Sequence, residues 1–186
     1  MSLLSRLFGT SGDPRAAVRP LWHRIIEIAR EEPWYADYGV ADNVSGRFDA
    51  VTLVLALAML RMERGHAGGG HKLDEEAPLV DASARLTELF VEDMDGQLRQ
   101  SGVGDLVVGK RMGKLVSVLG GRIGALRAAL AQAPTPEGDP LEAVLERNVT
   151  LTSQPDLAGL AAAIRALHTQ FQGLTDEALL QGTISR

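Results

Sequence analysis

The sequence predicts an all-α protein, a single compact domain of six or seven helices around one central buried helix. Apolar residues recur at helical spacing along the chain, and no stretch alternates convincingly with a period of two. Capping residues, prolines and glycine clusters divide the chain into segments of helix length. The chain has 186 residues, 45% of them apolar, which is enough to bury a sizeable core. We expect a short N-terminal segment over residues 1–13 and one helical domain over residues 14–186.

The central helix is predicted over about residues 48–62. The stretch from Ala50 to Leu60 is the longest apolar run of the chain. A helix that is apolar on every side must be surrounded by protein. The run is well short of the roughly 20 residues needed to cross a bilayer, so we interpret it as core and not as a membrane span.

Prolines and caps predict the remaining elements in order. Asp13-Pro14 begins a first helix, which Pro20 interrupts or restarts and Pro33 ends. The central helix runs from about Gly46 to Arg64. The later helices are predicted from Pro78 to Gln100, from Asp105 to Gln132, from Asp139-Pro140 to Asn148, and from a cap at Ser153 with Pro155 to Phe171, before a last turn capped by Thr175.

Composition and charge exclude several classes of function. Cysteine is absent, so disulfides, thiol catalysis and thiolate metal sites are excluded. The formal net charge of −5 argues against a DNA-binding protein, because neutralising phosphates requires clustered excess cations. The first eight residues hold too short an apolar run for a signal peptide, so we expect a cytoplasmic protein.

Candidate catalytic and metal-binding groups are few. No nucleotide-binding glycine motif and no HExxH zinc motif is present. His66 and His71 lie near acidic residues and could be metal ligands, but their glycine-rich surroundings favour a solvated loop. His23 and His168 lie on predicted helices with no serine or acid at an arranged spacing. The sequence therefore favours a protein that is not an enzyme and that needs no metal or cofactor.

Asp93 is the anomaly of the third long helix. Projected at about 100° per residue, it falls among apolar residues such as Leu89 and Met94. An unpaired acid on a buried face costs on the order of several kcal/mol. We therefore expect Asp93 to form an internal salt bridge with Arg47 or Arg61, with a binding role as the alternative.

The fourth long helix carries an unusual set of glycines on one flank. These are Gly109, Gly113, Gly120 and Gly124. Each glycine inside a helix costs about 1 kcal/mol relative to alanine, so something should approach this backbone closely. Either another helix of this protein or a partner helix would fit. The opposite flank is a basic arc, which would be solvated or would contact acidic partners or anionic lipid. It consists of Lys110, Arg111, Lys114 and Arg122.

An ordered set of short motifs carries a resemblance to a known family. The motifs are Gly46-Arg47-Phe48-Asp49, the run from Phe90 to Asp95, Gly102 to Leu106, and Val108-Gly109-Lys110 with Met112. With them, the chain resembles the ubiquinol-cytochrome c chaperone family over roughly residues 16–172. The run from Phe90 to Met112 is the most specific part.

The resemblance implies an all-helical, non-enzymatic assembly chaperone of the cytochrome bc1 complex that binds newly made cytochrome b. It also implies a small partner protein and the ribosome as further partners. We expect a client groove along the fourth long helix, with Arg47, Phe48, Asp49 and Phe90 in structural roles. The predicted client-binding residues are Asp93, Asp95, Asp105, Gly109, Lys110, Arg111, Gly113 and Lys114.

Two further hypotheses stay open. The first eight residues, with Leu3, Leu4, Leu7 and Phe8, either touch the inner face of the inner membrane or form a disordered start. The alternative function is a small-molecule or lipid-binding helical module with an enclosed apolar pocket. In that case Trp22, Trp34 and methionines would line the pocket.

Overall fold

The computed structural model describes the backbone of residues 13–67, 77–100 and 105–185, and the side chains of residues 13–63, 79–97 and 113–185. A 3-10 turn at Ala16–Val18 precedes the helices. The helices are α1 (Arg19–Ala29), α2 (Pro33–Ala36), α3 (Val44–Ala67), α4 (Ala77–Gln100), α5 (Asp105–Leu130), α6 (Pro140–Asn148), α7 (Leu157–Gly173) and α8 (Asp176–Leu180). The described backbone contains two isolated β-bridges and no strand, so the all-α prediction is confirmed.

Helix α3 is the centre of the fold. It packs against α1, α4, α5 and α7. Every residue from 49 to 60 is buried, as its all-round apolar sequence predicts. Asn43 caps the helix by accepting a hydrogen bond from the Gly46 amide at 3.0 Å. A Cβ at Gly46 would lie 2.0 Å from the Ala41 carbonyl oxygen, so the close turn into α3 requires glycine.

Local capping chemistry accounts for several of the helix boundaries. Pro20 lies in the first turn of α1, and Asp139 with Glu142 forms a capping box at the start of α6. The predicted cap at Ser153 is wrong, because Asp156 caps α7 by accepting from the Gly159 amide at 2.8 Å. The preceding residues pair with another segment instead, since the Thr152 amide donates to the Gly39 carbonyl.

A buried ion pair joins α3 to α5. The Arg122 guanidinium donates to the Asp49 carboxylate at 2.8 Å, and the side chains are 4% and 12% exposed. The other Asp49 oxygen accepts from the amide and hydroxyl of Thr150 at 2.8 and 2.7 Å. Arg122 also donates to the Thr52 hydroxyl and the Asn148 carbonyl. The placement of Arg122 in a basic surface arc is therefore wrong: its side chain turns inward, where Asp49 and these oxygens bind its two terminal nitrogens.

Candidate functional site

An open cleft of about 750 Å³ lies where α1, α3, α4 and α5 meet. Its floor is apolar, and its rim carries charged and polar side chains. The floor includes Ile26, Phe48, Val51, Met94 and Leu115, and the rim includes Arg30, Tyr35, Arg47 and Asp93. Val44, which also lines the cleft, is 86% exposed.

Aromatic contacts hold the wall of the cleft. Phe90 is fully buried, and its ring centroid lies 6.3 Å from that of Trp22 and 6.3 Å from that of Phe48. These three rings tie α1, α3 and α4 together, with Phe48 only partly buried in the cleft. Such ring pairs contribute about 0.5–1.5 kcal/mol beyond their burial.

Asp93 lies at one end of the cleft and is exposed. Its carboxylate accepts a hydrogen bond from the Trp22 indole nitrogen at 2.9 Å. The predicted salt bridge with Arg47 or Arg61 is wrong, because Arg47 pairs with Asp42 and Arg61 with Asp176, each at 2.6 Å. Asp93 needs no internal cation, because it stands at the edge of the apolar face where water reaches it. A second cleft, of about 440 Å³, adjoins this end through Ile26 and Asp93.

Two arginines and a tyrosine lie at the other end of the cleft. The Tyr35 hydroxyl donates to the Ala29 carbonyl at 2.6 Å, and burial raises the pKa of Tyr35. The hydrogen bond from Arg47 lowers the pKa of Asp42, and that same bond raises the pKa of Arg47. A third cleft, of about 510 Å³, adjoins this end through Arg30, Tyr35 and Arg47.

The outer face of α5 is smooth and uncovered by the described part of the chain. Apart from the adjacent residues and the backbone of α5 itself, no described atom lies within 4 Å of a Cβ built at Gly113, Gly120 or Gly124. Val116 and Val118 are 40% and 37% exposed, whereas Leu119 and Leu126 face inward and are buried. Within the described structure these glycines therefore do not serve close packing by another helix of this protein.

The structure brings some of the predicted residues together and leaves others apart. Arg47, Phe48, Asp49 and Asp93 all line the main cleft, and exposed Gly113 and Lys114 precede Leu115 on its border. Asp95 is half-buried on α4 and does not line this cleft. The side chains of the other predicted residues lie outside the described set, namely Asp105, Gly109, Lys110 and Arg111.

Sequence reasoning missed several residues of the cleft. Arg30, Tyr35 and Val44 lie at helix ends or in connections, where helical periodicity carries no signal. The concentration of aromatic residues between α1 and α3 is a sequence feature that marks this region.

The two described histidines differ in exposure and in their neighbours. His23 is exposed and forms no hydrogen bond with a carboxylate among the described residues. His168 is half-buried with its Nε2 atom 3.1 Å from the Gln172 amide nitrogen. The described residues contain no group of three or more side chains suited to hold a metal ion. His66 and His71 lie outside them.

Two more expectations bear on the class of protein. Trp34 is 2% exposed and donates to the Ile28 carbonyl at 2.7 Å, so it belongs to the core and not to a pocket wall. Among the described helices, none combines the length and apolar character that crossing a bilayer demands.

Together these features define an all-α domain with an open, apolar-floored cleft between its helices. The family model for ubiquinol-cytochrome C chaperones matches residues 36–186, and the chain belongs to that family. A chaperone family implies a protein client and a role other than catalysis, and this one fits a role in assembling the bc1 complex.

A solved structure supports the assignment. The chain is similar to the crystal structure of the Cbp3 homolog from Brucella abortus, with 31% sequence identity and a TM-score of 0.72. The similarity covers 98% of this chain and 96% of that one. No curated protein matches the sequence.

Proposed function

We propose that this protein is a non-catalytic assembly chaperone of the cytochrome bc1 complex that binds newly made cytochrome b in the open cleft. The observation that carries the proposal is the cleft itself, whose apolar floor is accessible from solvent. Apolar surface that is exposed and rimmed by polar groups is typical of a protein-binding site.

The chemistry of the cleft suits a hydrophobic protein client. Phe48, Met94 and Leu115 offer partly exposed or pocket-lining apolar groups, and methionine adapts to irregular partners. Binding energy concentrates where such anchors enter a desolvated cleft, while a polar rim excludes water around them. The alternative of a small-molecule module, which requires an enclosed apolar pocket, fits less well because this cleft is open and charged at both ends.

The outer face of α5 extends the proposed binding surface. Gly113 and Lys114 are exposed beside Leu115, which lines the cleft. Glycines inside a helix cost about 1 kcal/mol each, and no described contact offsets that cost at positions 113, 120 and 124. A client helix packed on this face would offset it, since small residues let helix backbones approach closely. We propose the same role for Gly109, Lys110 and Arg111 on this helix, for Asp95 on α4 and for Asp105 at the start of α5.

The cleft assignment is tested by a pair of matched substitutions. Val44→Glu places a charge in the cleft at a position 86% exposed, and Val80→Glu places one at a position 50% exposed that does not line the cleft. Each variant replaces the native protein in cells, and cytochrome b that co-purifies with it is quantified together with bc1 activity. We expect Val44→Glu to lower cytochrome b recovery at least fivefold and Val80→Glu to change it less than twofold. Equal recovery with both variants would remove the cleft from the mechanism.

The cellular location and additional partners are part of the same proposal. We propose that the protein works in the cytoplasm and at the inner face of the inner membrane, with the ribosome and a small partner protein as further contacts. Fractionation before and after a high-salt wash tests the membrane contact. Protein found in the soluble fraction alone would contradict it.

A further inference from the structure

We propose that the cleft selects its client by charge at two points. It takes an apolar helix with a basic residue beside Asp93 and, about eight positions away, an acidic residue beside Arg30. This inference rests on the proposed function and specifies which segment of a membrane-protein client the cleft accepts.

The two end charges of the cleft lack ionic partners in the described structure, unlike their neighbours. Nearby charges are paired, as in Arg15 with Glu92 at 2.6 Å and Arg24 with Glu27 at 3.0 Å. Among the described donors, only the neutral Trp22 indole donates a hydrogen bond to Asp93. Arg30 forms no ion pair or side-chain hydrogen bond with the described residues. A client that brings the opposite charges would therefore gain two pairings without breaking existing ones.

The length of helix α1 gives the spacing between the two charges, Asp93 and Arg30. Trp22, which contacts Asp93, lies on α1, and Arg30 caps the carboxyl end of the same helix eight residues later. At 1.5 Å per residue, their backbone positions are about 12 Å apart along the axis. A client helix running alongside α1 covers that length in about eight residues, and residues seven or eight apart lie on the same face.

The middle of the cleft is apolar and electrically neutral. Ile26 lies between Trp22 and Arg30 on α1 and faces the floor formed by Phe48 and Met94. Asp49 also lines this part, but its carboxylate is neutralised by Arg122 and bound by Thr150. The client should therefore present apolar residues between its two charges.

The polarity of the cleft rests on Asp93 and Arg30 themselves. The two adjoining clefts are each lined by charges of both signs and do not add to it. Complementary fields of this kind orient a partner and reject wrong ones more than they add raw affinity. The occupant is consequently a polypeptide with fixed charge spacing and not any apolar chain.

Synthetic helical peptides of about five turns test the inference directly. In the test peptide Lys and Glu stand eight positions apart with leucine and alanine between them. In the control peptide the same residues are rearranged so that Lys and Glu are one turn apart and pair with each other. We expect the full-length protein to bind the test peptide at least fivefold more tightly in low salt. The difference should shrink as salt is added, because exposed charges are screened over about 10 Å at 0.1 M.

Substitutions at Asp93 and Arg30 test whether these two charges cause the difference in peptide binding. Asp93→Asn keeps an oxygen that can accept the Trp22 hydrogen bond. We expect Asp93→Asn and Arg30→Gln each to weaken binding of the test peptide three- to fivefold. The double reversal R30E/D93K should restore binding to within twofold, because the peptide can enter the other way round. A photo-crosslinker beside the peptide's Lys should then react at the opposite end of the cleft. E146K/R147E, on the exposed surface of α6, is the control with the same net charge.

The outcomes separate this inference from the proposed function. Equal binding of the two peptides, no measurable binding of the test peptide, or a double reversal as weak as the single variants would overturn the charge selection. If Val44→Glu still lowers cytochrome b recovery in that case, the cleft remains the client site. If Val44→Glu changes neither cytochrome b recovery nor peptide binding, the cleft and the charge selection both fail.

Discussion

Helices α3 and α5 are both long and rich in apolar residues, but they lie in opposite environments. Helix α3 is buried on every side from residue 49 to residue 60, whereas α5 turns Val116, Val118 and Gly120 outward. An apolar helix has to be covered by something. In α3 the rest of the protein covers it. In α5 one face is left open by the described part of the chain, and this is the face that we propose for a partner.

The largest expected effect comes from breaking the link between the two helices. Arg122→Ala leaves the buried Asp49 carboxylate without its cation, which costs about 3–5 kcal/mol in other buried pairs. We expect a loss of this size in the free energy of unfolding from urea denaturation. The control is Arg127→Ala on the same helix, whose pair with Glu63 is about half exposed and should be worth less than about 1 kcal/mol. Similar losses for both variants would contradict the distinction.

Truncating one apolar side chain in each helix compares the environments directly. Leu57 in α3 is fully buried, and Leu57→Ala should destabilise the protein by about 2–5 kcal/mol through lost burial and a cavity. Val118 in α5 is 37% exposed, and Val118→Ala should change stability by less than about 0.5 kcal/mol. Calorimetry of both variants measures the contrast. A large loss at Val118 would mean that the outer face of α5 is covered after all.

Glycine substitutions should have opposite signs in the two helices. Gly120→Ala in α5 meets open space, so it should stabilise the protein by about 0.5–1 kcal/mol while lowering cytochrome b recovery. Gly46→Ala at the start of α3 would force a Cβ against the Ala41 carbonyl and should destabilise it. Thermal denaturation and client co-purification are measured on the same preparations. Stabilisation at Gly120 with unchanged recovery would show that the smooth face is not used.

The smallest expected effect on stability comes from Arg165 on α7, which binds the carboxyl end of α5. Arg165 donates to the Asp139 carboxylate and to the Ala129 and Gln132 carbonyls, and its hydrogen bond holds the pKa of Asp139 below its usual value. This contribution to stability is present above the unfolded-state pKa of about 4 and is lost as the pH falls through the lowered folded-state pKa. Asp139→Asn can still cap α6, so the free energy of unfolding should fall less steeply than in the wild type between about pH 5 and pH 2. Parallel curves would exclude this linkage.

Local signals in the sequence predict much of the fold and little of the cleft. The Ala50–Leu60 run and the caps at Asp139 and Thr175 act within a few residues, so their patterns are visible in the chain. The partner of Arg122 is 73 residues away, and the indole that binds Asp93 is 71 residues away. Such pairs depend on how helices are rotated against each other, which periodicity does not specify.

The contact between Trp22 and Asp93 has a practical consequence. The chain contains two tryptophans, and Trp34 is sealed in the core at 2% exposure. Trp22 is also buried, at 4% exposure, but its indole nitrogen donates to Asp93 at the end of the cleft where a cation is expected to arrive. The protein therefore carries its own fluorophore at the binding site, and a change in its emission when a client is added reports occupancy without any label.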